Sequence, residues 1–247
     1  MPSNIRLSVI LPVKNGQRHL QAALQSIQSN CVPHDELIVI DDGSTDDTAN
    51  LLHGYKPQLS VTVLQGRGQG PIYARNDGLK LARGSYITFL DHDDYWPADR
   101  VQSHLDVLTD EPNTFVVTGK TQYVSDLPDD IRPEFFRDWP AIFHVHLGAS
   151  TFRRTVFEEV GFFDESLRYS EDHDLFLRIR EAGLRIYPWN NVSLYYRIHE
   201  TNMTLNKQLS ELQLFQVIQK SLARRRLNGS RNLSPFPKNT PLTGEGT

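Results

Sequence analysis

Three aspartates crowd into four positions where one apolar segment of the sequence ends. The stretch FLDHDDYW places Asp91, Asp93 and Asp94 directly after two apolar residues. Like charges this close repel one another, and partial enclosure would also remove their water. If the segment stays extended, Asp91 and Asp93 point to the same side and His92 faces away. Two carboxylates arranged in this way can share a divalent cation such as Mg²⁺, with substrate phosphates and water completing its shell. The same residues also suit an acidic turn that caps a helix beginning near Pro97.

A second acidic pair begins a predicted helix over residues 170–183, with Ser170 as its N-cap and Gly183 as its stop. Wound at 3.6 residues per turn, this helix puts Asp172 near the middle of its apolar stripe and Glu171 at the margin. An inward carboxylate needs a partner or a task, and general base catalysis is such a task. By the same winding His173 and Asp174 fall outside the stripe, which is formed by Leu175, Phe176, Ile179 and Ala182.

The elements that must position these acids alternate between strands and helices. Apolar runs rich in β-branched residues predict strands, and amphipathic segments between them predict helices. This alternation indicates right-handed βαβ units and a parallel sheet, in which ligands bind outside the carboxyl ends of the strands. The acidic turns at 41–42 and 91–94 both follow predicted strands. The predicted strands cover 6–13, 35–41, 59–66, 85–91 and 113–124, and the predicted helices 17–30 and 70–84, with a further helix starting near 48.

The second half of the chain follows another plan. Residues 125–147 have no clear period and predict a loop with short helical pieces, and residues 184–199 predict two strands around a turn. An amphipathic helix is expected over 205–229, followed by a polar, disordered tail at 230–247. The basic run LARRR near the end of that helix either touches an anionic membrane surface or is the solvated end of a helix.

Bulk composition narrows the classes of function. The chain has 247 residues and a formal net charge of −4, so no general basic field attracts nucleic acid. It has one cysteine and therefore no internal disulfide framework. Neither a membrane-spanning apolar run nor a basic secretory leader is evident. We expect a cytoplasmic protein without a transmembrane segment, in contact at most with the inner face of a membrane through its basic C-terminal helix.

Three further signals are ambiguous on the residues alone. The segment GRGQG at 66–70 lies between a strand and a helix, but Pro71 occupies the third glycine position of a dinucleotide fingerprint and no P-loop lysine follows. We interpret it as a flexible loop beside a ligand. Arg75 on the following helix is either a phosphate contact or a surface residue, and His199 at a strand end is either structural or a ligand contact.

Five segments in order resemble glycosyltransferase family 2. They are SVILPVKNG, LIVIDDGSTDDT, ARNDGLKLARGSYITFLDHDDYW, GASTFRRTVFEEVGFFDESLRYSEDHDLFLRI and YYRIHETNMT, and together they run from about Leu7 to Thr204. The resemblance implies an α/β fold of the GT-A type, a Rossmann-like, mostly parallel sheet flanked by helices. It also implies one domain over 1–229, with a nucleotide-sugar half to about 110, an acceptor-side half over 111–204 and a C-terminal helix over 205–229.

The resemblance assigns a nucleotide site to the first half of the chain. In this family the end of the first strand and the acidic turn after the second hold the nucleotide, which matches Pro12, Lys14, Asp41 and Asp42. Asp42 is the expected partner of the ring nitrogen of the base. Lys14 stands where the family commonly has an aromatic residue.

The resemblance also assigns metal and catalytic residues. The Asp-x-Asp signature matches Asp91-His92-Asp93, in which the last aspartate leads as the ligand of Mg²⁺ or Mn²⁺ and the first assists it. The Glu-Asp pair matches Glu171 and Asp172, with Asp172 as the catalytic base. The late Tyr-Arg-Ile-His segment places Arg197 and His199 near the diphosphate or the metal.

The implied activity is metal-dependent, inverting transfer from a nucleotide-diphosphate sugar, with UDP expected, to an acceptor hydroxyl of a glycan or lipid-linked molecule. Three other classes remain open at this point. A glycoside hydrolase also uses two carboxylates, but it needs neither a metal nor a nucleotide turn. A non-catalytic nucleotide-sugar-binding module would keep the turn at 41–42 and tolerate loss of Asp172. A nucleotidyltransferase shares the sheet, but no glycine-rich triphosphate loop lies near the first strand.

Overall fold

The structure is a computed structural model that describes residues 5–126, 140–203 and 213–227, together with Leu233 and Phe236. Its elements alternate as the sequence predicts through the first half of the chain. The strands are β1 Leu7–Val13, β2 Glu36–Asp41, β3 Ser60–Gln65, β4 Tyr86–Phe89, β5 Thr114–Ser125, β6 Ser150–Arg153 and β7 Arg185–Ile198. The helices are α1 Leu20–Asn30, α2 Thr48–Gly54, α3 Pro71–Leu81, α4 Arg100–Asp110, α5 Arg154–Val160, α6 Glu171–Glu181 and α7 Leu214–Leu227.

The strands form one mostly parallel sheet, as predicted. Among the described residues the order is β3-β2-β1-β4-β6-β5-β7, and only β6 runs antiparallel to its neighbours. β1 and β2 are buried along their whole length, because helices cover both faces of the sheet there. Alternate residues therefore serve two cores: Ile10 and Ile38 belong to one hydrophobic cluster, whereas Val9 and Leu37 belong to the other.

The strand before the aspartate cluster ends earlier than the sequence indicated. β4 stops at Phe89, and residues 91–94 form a turn in which the Asp94 amide donates to the Asp91 carbonyl at 3.1 Å. The expectation that the strand continues to residue 91, with Asp91 and Asp93 on one face of it, was wrong. A turn lets each carboxylate point to a different partner, which an extended strand would not allow.

The prediction of two strands around a turn at 184–199 was also wrong. This segment is the single strand β7, which pairs in parallel with β5. The register shifts where Thr118 and Lys120 of β5 face Pro188 and Val192 of β7, so β7 carries extra residues there. The Asn-Asn pair that suggested a turn lies in this bulge.

The winding of α6 places one acid differently from the prediction. Asp174, expected outside the apolar stripe, is 1% exposed and pairs with Arg178 and Arg224 at 2.8 and 3.0 Å. Ala182, expected on the stripe, is exposed at the helix end. Asp174 is accepted in the interior because two guanidinium groups, one of them from α7, neutralise it, and a single-helix wheel does not show such partners.

Other predictions fall partly outside the described residues. α7 occupies the second part of the helix predicted over 205–229, and residues 204–212 are not described. Residues 127–139 and most of the predicted disordered tail at 230–247 are likewise outside the described residues, although the Phe236 ring packs edge-on against Phe176 at 5.8 Å. No helix within the described residues is long and apolar enough to cross a bilayer.

The bulge in β7 requires a glycine opposite it, and this requirement is testable. A Cβ on Gly119 would lie 1.8 Å from Ser193 Oγ and 2.6 Å from Ser193 Cβ. We expect Gly119→Ala to lower the free energy of unfolding by about 2 kcal/mol, because strand or side chain must shift. Gly54→Ala is the control, since a Cβ there meets nothing within 4 Å. Urea unfolding of both variants measures the difference, and equal stabilities would contradict the packing described here.

Candidate active site

One buried arginine joins the two acidic motifs. Arg75 extends from α3 below the carboxyl ends of the central strands and is 5% exposed. Its Nη2 donates to Asp91 Oδ1 at 2.6 Å, and its Nη1 donates to Glu171 Oε1 at 2.5 Å. Burial opposes the charge, but Asp91 and Glu171 outweigh burial and raise the pKa of Arg75. The interpretation of Arg75 as a surface residue was wrong, since it fixes the turn after β4 beside the start of α6.

Asp93 and His199 converge from opposite parts of the chain. Asp93 Oδ2 and His199 Nε2 are 2.9 Å apart, and the other ring nitrogen of His199 lies 2.9 Å from Thr201 Oγ1. Burial opposes ionisation of Asp93, but the hydrogen bond from His199 and the charge of His92 lower the pKa of Asp93. The His19 ring from the start of α1 stacks on His199 with centroids 4.8 Å apart. An ionised oxygen and an imidazole nitrogen thus lie side by side.

Asp94 and Arg197 hold this turn in place. Asp94 is 1% exposed, and its Oδ1 accepts the Arg197 amide at 2.9 Å. Burial, together with the charges of Asp93 and Asp91, raises the pKa of Asp94. The Arg197 guanidinium donates to the Asp93 carbonyl at 3.0 Å and to Asp126 Oδ1 at 2.8 Å. Arg197 therefore braces the turn that carries the predicted metal ligand.

The helix-cap alternative for this turn does not describe it. α4 begins at Arg100, and its N-cap residue, Asp99, makes no side-chain capping hydrogen bond. The turn carboxylates instead bond to Arg75, His199 and the Arg197 amide. Each is thus held by a residue distant in sequence, as expected of a built site rather than of a solvated turn.

The acidic turn after β2 is held by the glycine-rich loop. Asp42 is 3% exposed, and its two carboxylate oxygens accept the amides of Gly68 and Gly70, each at 2.7 Å. Both glycines have positive φ, at 70° and 101°, which favours glycine there. The neighbouring Asp41 accepts the Ser44 amide at 2.9 Å through Oδ1. Asp42 thus orders the loop over 66–70, while its predicted contact with a base stays a prediction.

Asp172 lies in the first turn of α6, and a histidine is its hydrogen-bond partner. Its Oδ1 accepts both the His173 amide at 2.7 Å and the His173 Nδ1 group at 2.8 Å. Burial opposes ionisation, but the hydrogen bond and charge of His173 outweigh it and lower the pKa of Asp172. The side chain of Asp172 is 22% exposed and that of His173 is 45% exposed. The carboxylate is therefore ionised, oriented and accessible, as a general base must be. Ser170 occupies the predicted N-cap position of α6 but makes no side-chain capping hydrogen bond.

Two histidines near the site were missed at the level of sequence. His144 and His146 lie before β6, their rings 5.5 Å apart, and His146 packs edge-on against Tyr196 at 5.3 Å. Burial lowers the pKa of His146, and the charges of Asp91 and Asp172 act on it in the opposite direction. The spacing of the two histidines, with one residue between them, is the only local signal. It lies in a segment whose sequence shows no period, so sequence reasoning had no element on which to place it.

The remaining predicted residues lie near the carboxyl ends of the strands β1 and β4. Pro12 is buried in β1 beside Ile40 of β2, and Lys14 is exposed just after β1. His92 faces the loop between β1 and α1, where a Cβ on Gly16 would lie 3.0 Å from its ring. The structure thus joins Asp91 to Glu171 through Arg75, and it holds Asp93, Arg197 and His199 together through the adjoining turn. Asp172 follows Glu171 at the start of α6, and the residues Pro12, Lys14, Asp41 and Asp42 lie together where β1 and β2 end.

The predicted metal-ligand set is brought together only in part. Within the residues that the structure describes, no group of three His, Cys, Asp or Glu side chains is close enough to hold a metal ion. Asp93 and His199 are adjacent, whereas Asp91 turns one oxygen towards Arg75. A buried guanidinium so close to Asp91 attracts that carboxylate away from the pair.

The profile of Glycosyl transferase family 2 matches residues 8–164. The chain belongs to this family. A relative in Escherichia coli, the UDP-Glc:alpha-D-GlcNAc-diphosphoundecaprenol beta-1,3-glucosyltransferase WfaP, is 28% identical over 215 residues, which cover 81% of this chain and 80% of the relative. Members of family 2 are enzymes that transfer sugars, so this chain is a glycosyltransferase.

Two solved structures share the fold of this family 2 enzyme. The S. aureus protein TarS in complex with UDP-GlcNAc matches with a TM-score of 0.72 at 22% identity, over 89% of this chain and 66% of that chain. The mannosyltransferase PcManGT from Pyrobaculum calidifontis, in complex with GDP-Man and Mn²⁺, matches with a TM-score of 0.64 at 23% identity, over 81% and 59%. Both solved chains extend beyond the matched part. At these identities the matches show the fold, which is the predicted GT-A fold.

The Arg75 bridge should contribute strongly to stability. Arg75→Met leaves two carboxylates without their shared cation, and we expect the free energy of unfolding in urea to fall by about 3 kcal/mol. The matched control is Arg67→Met, which removes the solvent-exposed pair of Arg67 with Asp77 and should cost less than about 1 kcal/mol. Equal losses in the two variants would contradict the structural role given to Arg75.

Proposed function

We propose that this glycosyltransferase moves a sugar from a UDP-sugar to an acceptor hydroxyl with inversion at the anomeric carbon, assisted by a divalent cation. The observation that carries the proposal is the bridge through Arg75. It sets the Asp91–Asp93 turn beside Glu171 and Asp172 at the carboxyl ends of the parallel strands, where sheets of this kind bind ligands. A donor held by the turn then lies next to Asp172, the proposed catalytic base.

We assign the nucleotide to the carboxyl ends of β1 and β2. Pro12 lies in the last part of β1 and Lys14 just after it, while Asp41 ends β2 and Asp42 follows it. The glycine-rich loop at 66–70, which follows β3, is held by Asp42 and borders the nucleotide site. The loop and Asp42 together position the nucleobase. The complex of TarS with UDP-GlcNAc supports a uridine donor. In domain terms, residues to about 110 would bind the donor and residues 111–204 would face the acceptor.

Asp93 and His199 would hold Mg²⁺ or Mn²⁺, with diphosphate oxygens and water completing the shell. The fit rests on the ionised Asp93 carboxylate and the imidazole nitrogen beside it, 2.9 Å apart. The complex of PcManGT with GDP-Man and Mn²⁺ supports a metal of this kind. Such an ion neutralises charge that develops on a leaving diphosphate. Asp91, held by Arg75, would assist through its second oxygen or through water, and Arg197 keeps the turn in position.

Asp172 is assigned as the base. It takes the proton from the acceptor hydroxyl while the oxygen attacks the anomeric carbon from the side opposite the diphosphate, so that one displacement inverts the configuration. Glu171 is held by Arg75 and serves as a positioning residue. The acceptor class is suggested by WfaP, whose name specifies a diphosphoundecaprenol acceptor. We propose a glycan or lipid-linked acceptor, with peripheral contact between α7 and a membrane.

Loss of the Asp93 carboxylate should abolish metal-dependent donor binding. We expect UDP to raise the melting temperature of the wild-type chain in the presence of Mn²⁺ and to do so weakly without it, by linkage. In Asp93→Ala the effect of Mn²⁺ should disappear in both thermal shift and calorimetry. Glu158→Gln removes an exposed carboxylate on α5 and is the control. Unchanged binding in Asp93→Ala would exclude the metal assignment.

Loss of the Asp172 carboxylate should separate binding from turnover. In Asp172→Asn the side chain keeps its shape but cannot take a proton, so we expect kcat to fall by about 10²–10⁴-fold. Binding of UDP with Mn²⁺ should stay at the wild-type level. A screen of UDP-, GDP- and dTDP-sugars against lipid-linked acceptors supplies the assay. A variant that turns over at the wild-type rate would show that another group is the base.

His173 should set the acid limb of the pH–rate profile. Burial lowers the pKa of His173, but its hydrogen bond to Asp172 and the charges of Asp172 and Glu171 outweigh burial and raise the pKa of His173. The charge of His173 in turn acts to lower the pKa of His144 in the segment before β6. Below this raised pKa the imidazolium pairs with Asp172 and weakens it as a base, so the rate should rise as pH rises through that pKa.

In His173→Asn the amide keeps a donor to Asp172 but does not titrate, so the acid limb should move to lower pH while kcat on the plateau changes little. The contribution of His173 to folding stability depends on pH in the opposite direction from the rate. The contribution of a histidine with a raised pKa is present below its ordinary pKa, about 6.5, and is lost as pH rises through the raised value. An acid limb at the same pH in both proteins would assign it to another group.

A further inference from the structure

α7 has one anchored face and one apolar face that points outward. On the inward side Val217 and Ser221 are buried, and Arg224 donates to Glu181 and Asp174 of α6 at 2.7 and 3.0 Å. These contacts fix the rotation of the helix. The outward side presents Phe215, Ile218 and Leu222, which are 81%, 51% and 40% exposed.

The outward face ends in positive charge. Arg226 follows the apolar residues and is exposed, and within the described part of the chain it forms no ion pair with a carboxylate. The neighbouring Arg225 is half-buried, with its Nε enclosed, and is not part of the outward face. An apolar stripe bordered by an exposed arginine on a surface helix matches the composition of helices that lie in a membrane interface.

The orientation of α7 relates this face to the active site. Gln213 Oε1, just before α7, accepts the amides of Arg168 and Tyr169, which precede α6, at 2.6 and 3.0 Å. Arg224, near the far end of α7, reaches Glu181 at the far end of α6. The two helices therefore run side by side in the same direction, and the Phe215 end of α7 lies beside the end of α6 that carries Asp172.

We propose that the outward face of α7 docks on the headgroup region of an anionic lipid bilayer, with Phe215, Ile218 and Leu222 inserted and Arg226 on a lipid phosphate. The identity of the acceptor rests on the proposed function, while the surface itself rests on exposure and charge. Because the inward face of α7 packs on α6, docking through the outward face places α6 one helix behind the bilayer surface, with its amino-terminal end beside the Phe215 end of α7. A sugar acceptor anchored in lipid and extending from the headgroups would then approach the end of α6 that carries Asp172.

Vesicle binding by the full chain tests this surface. We expect flotation with phosphatidylglycerol–phosphatidylcholine vesicles, little binding to pure phosphatidylcholine, and weakening in high salt. Phe215→Ser/Ile218→Ser/Leu222→Ser should bind at least about tenfold more weakly, and Arg226→Ser should weaken the preference for anionic lipid. Val63→Ser/Leu64→Ser is the matched control, because these residues on edge strand β3 are 45% and 38% exposed and lie away from α7.

Two results would overturn the proposal. One is vesicle binding by the triple-serine variant that equals that of the wild type. The other is a wild-type chain that ignores vesicles but forms a dimer in light scattering, which the triple-serine variant abolishes; the face would then be an interface between copies. Binding of UDP with Mn²⁺ is measured in the same samples. Its absence from a wild type that does bind vesicles would contradict the proposed function and leave the membrane surface standing.

Discussion

The charge of Arg75 is the constraint on which the arrangement of the site depends. Asp91 and Glu171 lie far apart in the sequence, and both point to the same guanidinium. Two carboxylates brought so close would repel each other strongly in a partly dehydrated site. A permanently charged, planar cation with several donors can satisfy both at once, which a lysine would do less well. The positions of the turn after β4 and of α6 are therefore coupled.

Two carboxylate–imidazole pairs flank this central cation. On one side Asp93 meets His199, and on the other Asp172 meets His173, each with a nitrogen–oxygen distance below 3 Å. In both pairs the imidazole favours the ionised carboxylate and lowers the pKa of the aspartate. The same chemistry serves two different tasks in the proposed mechanism, since one carboxylate faces a cation and the other faces a proton donor. The two carboxylates differ in position, because Asp93 lies in the turn after β4 and Asp172 lies in the first turn of α6.

Much of the fold follows from local patterns in the sequence. The strands β1 and β2 are continuous apolar runs because both faces of the sheet are covered, and glycine and proline mark the ends of α3 and α6. The failures have a common cause. The end of β4, the bulge in β7 and the burial of Asp174 are each decided by partners far away in sequence, such as Gly119 opposite the bulge and Arg224 beside Asp174.

In the candidate site, too, local patterns were visible in the sequence, whereas contacts with distant partners were not. The clustering of aspartates at a strand end was visible in the sequence, because like charges repel and such a cluster needs positive partners. The partner of each aspartate was not visible, since Arg75 and His199 look like ordinary surface or structural residues until the chain is folded. The histidines before β6 were missed for the same reason, as their segment carries no periodicity.

The most direct measurement is an anomalous difference map from crystals of the chain grown with UDP and Mn²⁺. We predict a manganese peak bonded to the Asp93 carboxylate and to His199 Nε2 at about 2 Å, with diphosphate oxygens beside it and Arg75 still joining Asp91 to Glu171. A map in which Asp93 and His199 keep their hydrogen bond, with manganese and diphosphate bound elsewhere or not at all, would contradict this prediction.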